Sequence, residues 1–231
     1  MTLTSERGKL ELPKVRTSAR KMKSPRRLKT AVTIGSHNIM RGHYLKHITH
    51  QYKTPRPPQH KFDALCLQEA SLAQARAAAD ALGPASFAVA RHAAAPELAI
   101  VYNARRFALR SLRALALPRL PRVPLLQRTY TSAAPQQRHA LIADFGAPLP
   151  LTLVCFHLDA AGSIAHRAGQ MRALSSELRA DARRPLVVCG DTNAFAWLVR
   201  DAEAGLAQIL RPLEQRHEAV DVARARVISS T

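Results

Sequence analysis

Residues 185–195 read PLVVCGDTNAF. Leu186 to Cys189 form an apolar run of strand length; the chain then turns at Gly190 and presents Asp191 and Asn193 at the strand's end. A carboxylate delivered by a core strand is costly to bury unless a cation or hydrogen-bond donors meet it. Asp191 therefore either closes a local turn or is aimed at a partner. The pattern recurs. In TAVTIGSHNIM, residues 30–40, Ala31, Val32 and Ile34 predict a short strand ending at Ser36, His37 and Asn38. FDALCLQEA, residues 62–70, predicts a buried strand ending at Gln68 and Glu69, and LTLVCFHL, residues 151–158, one ending near His157.

Between these strands the chain alternates element types. SLAQARAAADAL, residues 71–82, predicts a helix with Ser71 as N-cap and Gly83 as stop. SFAVARH and ELAIVYN predict two further strands. RHALIADF and LTLVCFHL predict consecutive strands joined by the turn GAPLP. Ile164, Ala168, Met171, Leu174 and Leu178 predict a helix over about Ser163 to Ala182. Residues 104–135, rich in arginine and proline, carry no clear pattern, and the end of the chain starts helically and then loses definition. The histidine-bearing stretch after Asn38 (His43, His47, His50, His60) predicts an irregular loop, its spacing too irregular for a transition-metal site. The whole predicts an α/β architecture with antiparallel pairs and polar strand tips.

The chain has 231 residues, 47% of them hydrophobic, enough for one domain with a real core. Its formal charge is +19. Anionic partners such as nucleic acid or phosphate compounds fit that sign. Ten Lys or Arg against two Glu fall in the first thirty residues, so residues 1–29 read as a basic, disordered arm and 30–231 as the folded domain. Beyond Lys61 every basic residue of the Lys/Arg pair is arginine, which suits a solvated basic surface as well as a polyanion groove. Cys66, Cys155 and Cys189 each lie in apolar runs and read as reduced thiols, which favours the cytoplasm. SPRRLKTAVTI has a twin-arginine flavour but too short an apolar part for export, and no apolar run reaches a membrane span.

Asn38, Glu69, His157, Asp191 and Asn193 are a kit of carboxylates, amides and an imidazole suited to a hard cation and phosphoryl chemistry. Read singly, each has an ordinary alternative: Asn38 a turn residue, Glu69 an acid near a helix N-terminus, His157 a satisfied structural histidine, Asp191 with Asn193 an Asx-type turn. In order, however, SHNIMRG, LCLQEA, VCFHLD and CGDTNAF resemble the endonuclease/exonuclease/phosphatase superfamily, with its deoxyribonuclease-like members. The resemblance runs from about Ala31 to Asn193. It implies a four-layer sandwich of two packed mixed β-sheets flanked by helices, and a Mg²⁺-dependent hydrolase of phosphoesters, with Mn²⁺ as an alternative ion. It implies Glu69 as the main metal ligand with Asn38 beside the metal and phosphate. His157 would bond the scissile phosphate, Asp191 orient or deprotonate the attacking water, and Asn193 support phosphate or histidine. Arg138, ahead of its strand, would contact phosphate.

The family's final strand with its Ser-Asp-His cluster has no counterpart: no aspartate in the chain is followed by histidine, and His217 and Asp221 stand in the wrong order. The expectation is a sandwich incomplete at its C-terminus. Such a chain is a shortened relative, an enzyme with a substitute base, or a phosphate or nucleic-acid binder without catalysis. A nuclease-like phosphodiesterase is the leading expectation; a phosphatase of a sugar, inositol or lipid phosphoester is the alternative. Because strand side chains alternate, Cys155 should share the face of His157, and Cys189 that of Asp191. Both sulfurs are therefore expected beneath the site, in the layer between the sheets.

Overall fold

Short apolar runs with polar tips can satisfy both faces only by stacking, and the chain stacks them in four layers. A computed structural model describes residues 32–43, 62–129, 131, 134–178, 184–194 and 202–215. The predicted arm, His47, His50, His60, His217 and Asp221 lie outside them. The chain divides into Met1–Ala31 and Val32–Thr231, and every element below belongs to the second unit.

Eight strands form two sheets. The first holds β1 (Ile34–Asn38), β2 (Ala64–Gln68), β3 (Phe87–Ala90) and β4 (Leu98–Asn103) in the order β1-β2-β4-β3. The second runs β5-β6-β7-β8, with β5 (Ala108–Ala116), β6 (His139–Gly146), β7 (Leu151–His157) and β8 (Leu186–Asp191). Both are mixed: β1 with β2 and β7 with β8 are parallel, the other pairs antiparallel.

The layer between the sheets is one apolar cluster drawn from both. Ala64, Cys66, Leu98 and Ile100 of the first sheet meet Leu141, Ala143, Leu153 and Cys155 of the second. On the outer face of the first sheet, Leu65, Leu67, Ala99 and Val101 pack on Ala75, Ala78 and Ala79 of α1 (Leu72–Leu82). On the outer face of the second, Ile142, Val154 and Phe156 pack on Met171 and Leu174 of α2 (Ile164–Glu177) and Ile209 and Leu213 of α3 (Ala202–Glu214). With both faces covered, β2 is buried along its whole length, which is why it reads as a continuous apolar run.

The starts of α1 and α2 are capped. The Ser71 hydroxyl accepts from Gln74 N while the Gln74 side chain accepts from Ser71 N, a reciprocal box worth about 1 kcal/mol. Ser163 accepts from His166 N. Helix α2 ends at Glu177, short of the expected Ala182, because Leu178 leaves the helix for extended backbone and keeps its side chain in the outer apolar cluster. The patternless stretch after residue 104 contains β5, an edge strand of nine residues. Its register slips between Leu109 and Ser111, and that irregularity, with arginines on the exposed edge, hides the two-residue alternation.

Candidate active site at the strand tips

Antiparallel neighbours present opposite ends to one side of a sheet; parallel neighbours present the same end. Each sheet has one parallel pair among the described strands, and each pair brings two carboxyl-terminal tips together. Asn38 and Gln68 end β1 and β2 in register, and Glu69 follows at once. His157 and Asp191 end β7 and β8 in register. The second pairing depends on Gly190. A Cβ there would stand 2.1 Å from the Phe156 carbonyl oxygen, so only glycine lets β8 lie this close to β7.

Asn38 Nδ2 donates to Glu69 Oε1 of its own sheet at 3.1 Å and, across the gap between sheets, to Asp191 Oδ2 at 2.7 Å. Its Oδ1 accepts from Met40 N at 2.9 Å, which fixes the amide's sense. His157 Nε2 lies 3.9 Å from Glu69 Oε1 and 3.9 Å from Asp191 Oδ2. Four of the expected residues thus form one cluster, with the imidazole 1% exposed and the carboxylates 28% and 26%. Asn193 stands behind it: its backbone N donates to Asp191 Oδ1 at 2.8 Å and its Nδ2 to Leu158 O at 2.7 Å. The Asx-type turn is therefore real, and it occupies one oxygen of Asp191 while the other faces Asn38. The non-glycine residues with positive φ among those described are Met40, Arg41, Glu69 and Asn193, all at these tips. Strained backbone of this kind collects where the surrounding structure must hold side chains in place.

Arg138 approaches from the other side of the imidazole. Its Nη1 lies 3.3 Å from His157 Nδ1, and its Nε 3.4 Å from Asp159 Oδ1. Asp159 was not foreseen, although it lies two residues past His157 in the sequence. It is a hub: Oδ2 meets His166 Nε2 at 3.0 Å and accepts from Gln170 Nε2 at 3.3 Å, while Gln170 Oε1 accepts from Asp159 N. Buried Arg167 donates to the carbonyls of Asp159, Ala160 and Gly162 and holds the loop behind it. Burial first, then the Arg138 charge, holds the His157 imidazole below its ordinary value; Asp191, Glu69 and Glu97 pull it the other way. The ring is neutral at pH 7. A guanidinium only donates, so Nδ1 accepts and Nε2 carries the proton, facing the carboxylates.

A cleft of about 770 Å³ opens beside the cluster, lined by Glu69, Glu97, Arg138 and Asp159 together with Arg41 and Arg91. Acid and guanidinium thus share one wall, an arrangement that can take an anionic group while holding a cation. Two like-charged carboxylates meeting on one amide is also the situation a divalent cation relieves, and their oxygens are hard donors of the kind Mg²⁺ takes. Glu69 and Asp191 form the donor set that fits; Asn38 turns its Nδ2 toward both and leaves its oxygen to Met40 N. Among the described residues no group of three or more His, Cys, Asp and Glu is arranged to hold a metal, so such an ion would draw its remaining ligands from water and substrate.

Both Cys155 and Cys189 do pack into the layer between the sheets. The third thiol joins them: burial, then the adjoining Cys155 and Cys189, pushes Cys66 well up. Gln68 Nε2 donates to Cys155 Sγ at 3.2 Å, linking this layer to the strand tips above.

The sequence matches the profile of the Endonuclease/Exonuclease/phosphatase family over residues 35–208. No curated protein sequence matches. Among solved structures, D. rerio TDP2 complexed with a single-strand DNA product superposes with a TM-score of 0.52 at 16% identity, over 78% of this chain and 64% of that one. Humanized D. rerio TDP2 gives 0.50 at 17% identity, over 77% of this chain and 66% of that one. A mannosyl-6-phosphatase of Bacteroides thetaiotaomicron gives 0.55 at 15%, over 78% and 70%. At these identities the likeness is one of fold, and the chain spans just under two thirds of the two D. rerio structures.

Proposed function

The chain belongs to the endonuclease/exonuclease/phosphatase family, a family of phosphoester hydrolases, and on that premise we propose that it hydrolyses a phosphodiester with the help of a divalent cation. The observation that carries the reading is the single amide of Asn38 joined to two carboxylates from different sheets, with the protonated Nε2 of His157 facing both. Glu69 and Asp191 would hold Mg²⁺ or Mn²⁺, and the Asn38 amide, which the resemblance sets beside the metal, positions both carboxylates. Such an ion, when bound, offsets the charge that builds on the phosphoryl oxygens. Asp191, held by the Asn193 turn, orients the attacking water and takes its proton. His157 donates from Nε2 to a phosphate oxygen, and Arg138 fixes that ring from behind while its side chain lines the anion-receiving cleft.

Asp159 and Gln170 support Arg138, and so act on the reaction through it. The positive charge of the chain favours a nucleic-acid or other polyanionic diester over a small neutral substrate. The test is hydrolysis of plasmid DNA and of bis(p-nitrophenyl) phosphate with Mg²⁺ or Mn²⁺ and with EDTA. Activity should vanish in EDTA. Glu69→Gln and Asp191→Asn should each lower turnover by at least about 10²-fold. Calorimetry should show Mg²⁺ or Mn²⁺ binding to the wild type and its loss in Glu69→Gln. Unchanged turnover in both variants refutes the assigned roles. Faster cleavage of p-nitrophenyl phosphate than of either diester selects a phosphatase instead.

A further inference from the structure

Val32, Met40, Leu72, Leu125 and Leu126 are the large apolar side chains left exposed among the described residues. Four of them stand within three residues in sequence of a residue that lines the cleft. Met40 precedes Arg41, Leu72 follows Ser71, and Leu125 and Leu126 come just after Val123; Arg41, Ser71 and Val123 all line it. Single exposed leucines are ordinary, but two adjacent ones this far exposed are not.

Leu125 and Leu126 are the extreme case, 77% and 85% exposed on a 3₁₀ turn, Leu125–Gln127, within the long connection from β5 to β6. The base of that connection is anchored. Leu117 N donates to Arg138 O at 2.9 Å, and Gln137 Nε2 to Leu117 O at 2.7 Å. Val123 is buried, and Gln127 Oε1 accepts from Gly162 N at 2.5 Å. The two leucines are therefore held out from a fixed platform. Residues 118–138 also carry Arg119, Arg122, Arg128 and Arg138 with no Asp or Glu, and the first three arginines are exposed.

We infer that this rim docks on an anionic lipid surface. Leu125 and Leu126 enter the boundary between headgroups and acyl chains, and Arg119, Arg122 and Arg128 pair with lipid phosphates, so that the cleft meets phosphodiester headgroups at the interface. This deepens the phosphodiesterase reading by naming where the diester is presented, and it rests on that reading only for the substrate. Apolar insertion and basic attraction add on such surfaces. A nucleic acid would use the arginines but has no apolar layer behind its phosphates to receive leucines; single strands are held by stacking on aromatic rings.

The experiment is co-sedimentation of the full chain with vesicles of phosphatidylcholine mixed with phosphatidylserine, beside pure phosphatidylcholine and a single-stranded oligonucleotide. The wild type should bind the anionic vesicles. Leu125→Ser with Leu126→Ser should weaken that binding about tenfold or more, with the unfolding midpoint unchanged. High salt screens the arginines and the basic N-terminal residues, so the difference between the two proteins should persist there. Arg122→Glu with Arg128→Glu should weaken binding at low salt. Equal vesicle binding by the wild type and the leucine variant overturns the inference, as does leucine-dependent binding to the oligonucleotide with none to vesicles. Docking is read without turnover, so an inactive protein that docks defeats only the hydrolase reading, and an active one that does not dock defeats only this one.

Discussion

His157 shows how a single side chain acquires a defined chemical state from its neighbours. Nothing in its sequence position says which nitrogen carries the proton; the guanidinium at 3.3 Å from Nδ1 does. Nitrogen-15 spectra of the imidazole at pH 7 should therefore show a neutral ring protonated at Nε2. In Arg138→Gln the cation that disfavours a charged ring is gone while the carboxylates remain, so protonation should shift to higher pH. A wild-type ring protonated at Nδ1 would contradict the arrangement. Asn38, Glu69, His157 and Asp191 could be picked out of the sequence because each ends an apolar run and the four motifs that carry them stand in the order of a known family. The support behind them could not. His166, Arg167 and Gln170 lie on a helix face whose amphipathic pattern says only that it is half-buried, and their meeting with Asp159 and Arg138 comes from packing α2 on the second sheet.

The strand pairs set the site's position. The apolar runs showed where most strands lay, but which strands run parallel is fixed by crossovers, and only parallel pairs place two carboxyl-terminal tips side by side. Strand β5 escaped notice for a different reason, since its register slips and arginines face its open edge. That sheet is further tied by Asp144 on β6, which accepts from Ser111 of β5 at 2.8 Å and Thr152 of β7 at 2.7 Å and pairs with Arg184 ahead of β8 at 3.2 Å. Burial pushes the Asp144 carboxyl up, but the Thr152 and Ser111 hydroxyls and the Arg184 charge outweigh it, and the group titrates below its ordinary value. The unfolded chain then binds the proton more readily than the native one, so this contribution is present above about pH 4 and is lost as pH falls through the native value. Asp144→Asn should cost about 1–3 kcal/mol in urea unfolding at pH 7, and the gap to the wild type should close below about pH 4. A gap that does not depend on pH would show that the charge contributes nothing.

At the scale of the molecule, neither sheet contains the site. Asn38 and Glu69 come from one, His157 and Asp191 from the other, and the amide that joins them bridges the gap over the shared core. The strong positive charge is a separate property, ten of its cations lying in the first thirty residues. Removing residues 1–29 should leave turnover on bis(p-nitrophenyl) phosphate and the unfolding midpoint unchanged while flattening the salt dependence of DNA binding, measured as the slope of log affinity against log salt. An unchanged slope would put the polyanion affinity on the folded unit instead. Beneath the bridging amide, Cys66 and Cys155 are sealed at 0% exposure between the two layers. An alkylating reagent reaches those sulfurs only while the layers part, so the pace at which they are blocked is a clock for the sandwich's own breathing, kept at the seam where the two halves of the candidate site meet.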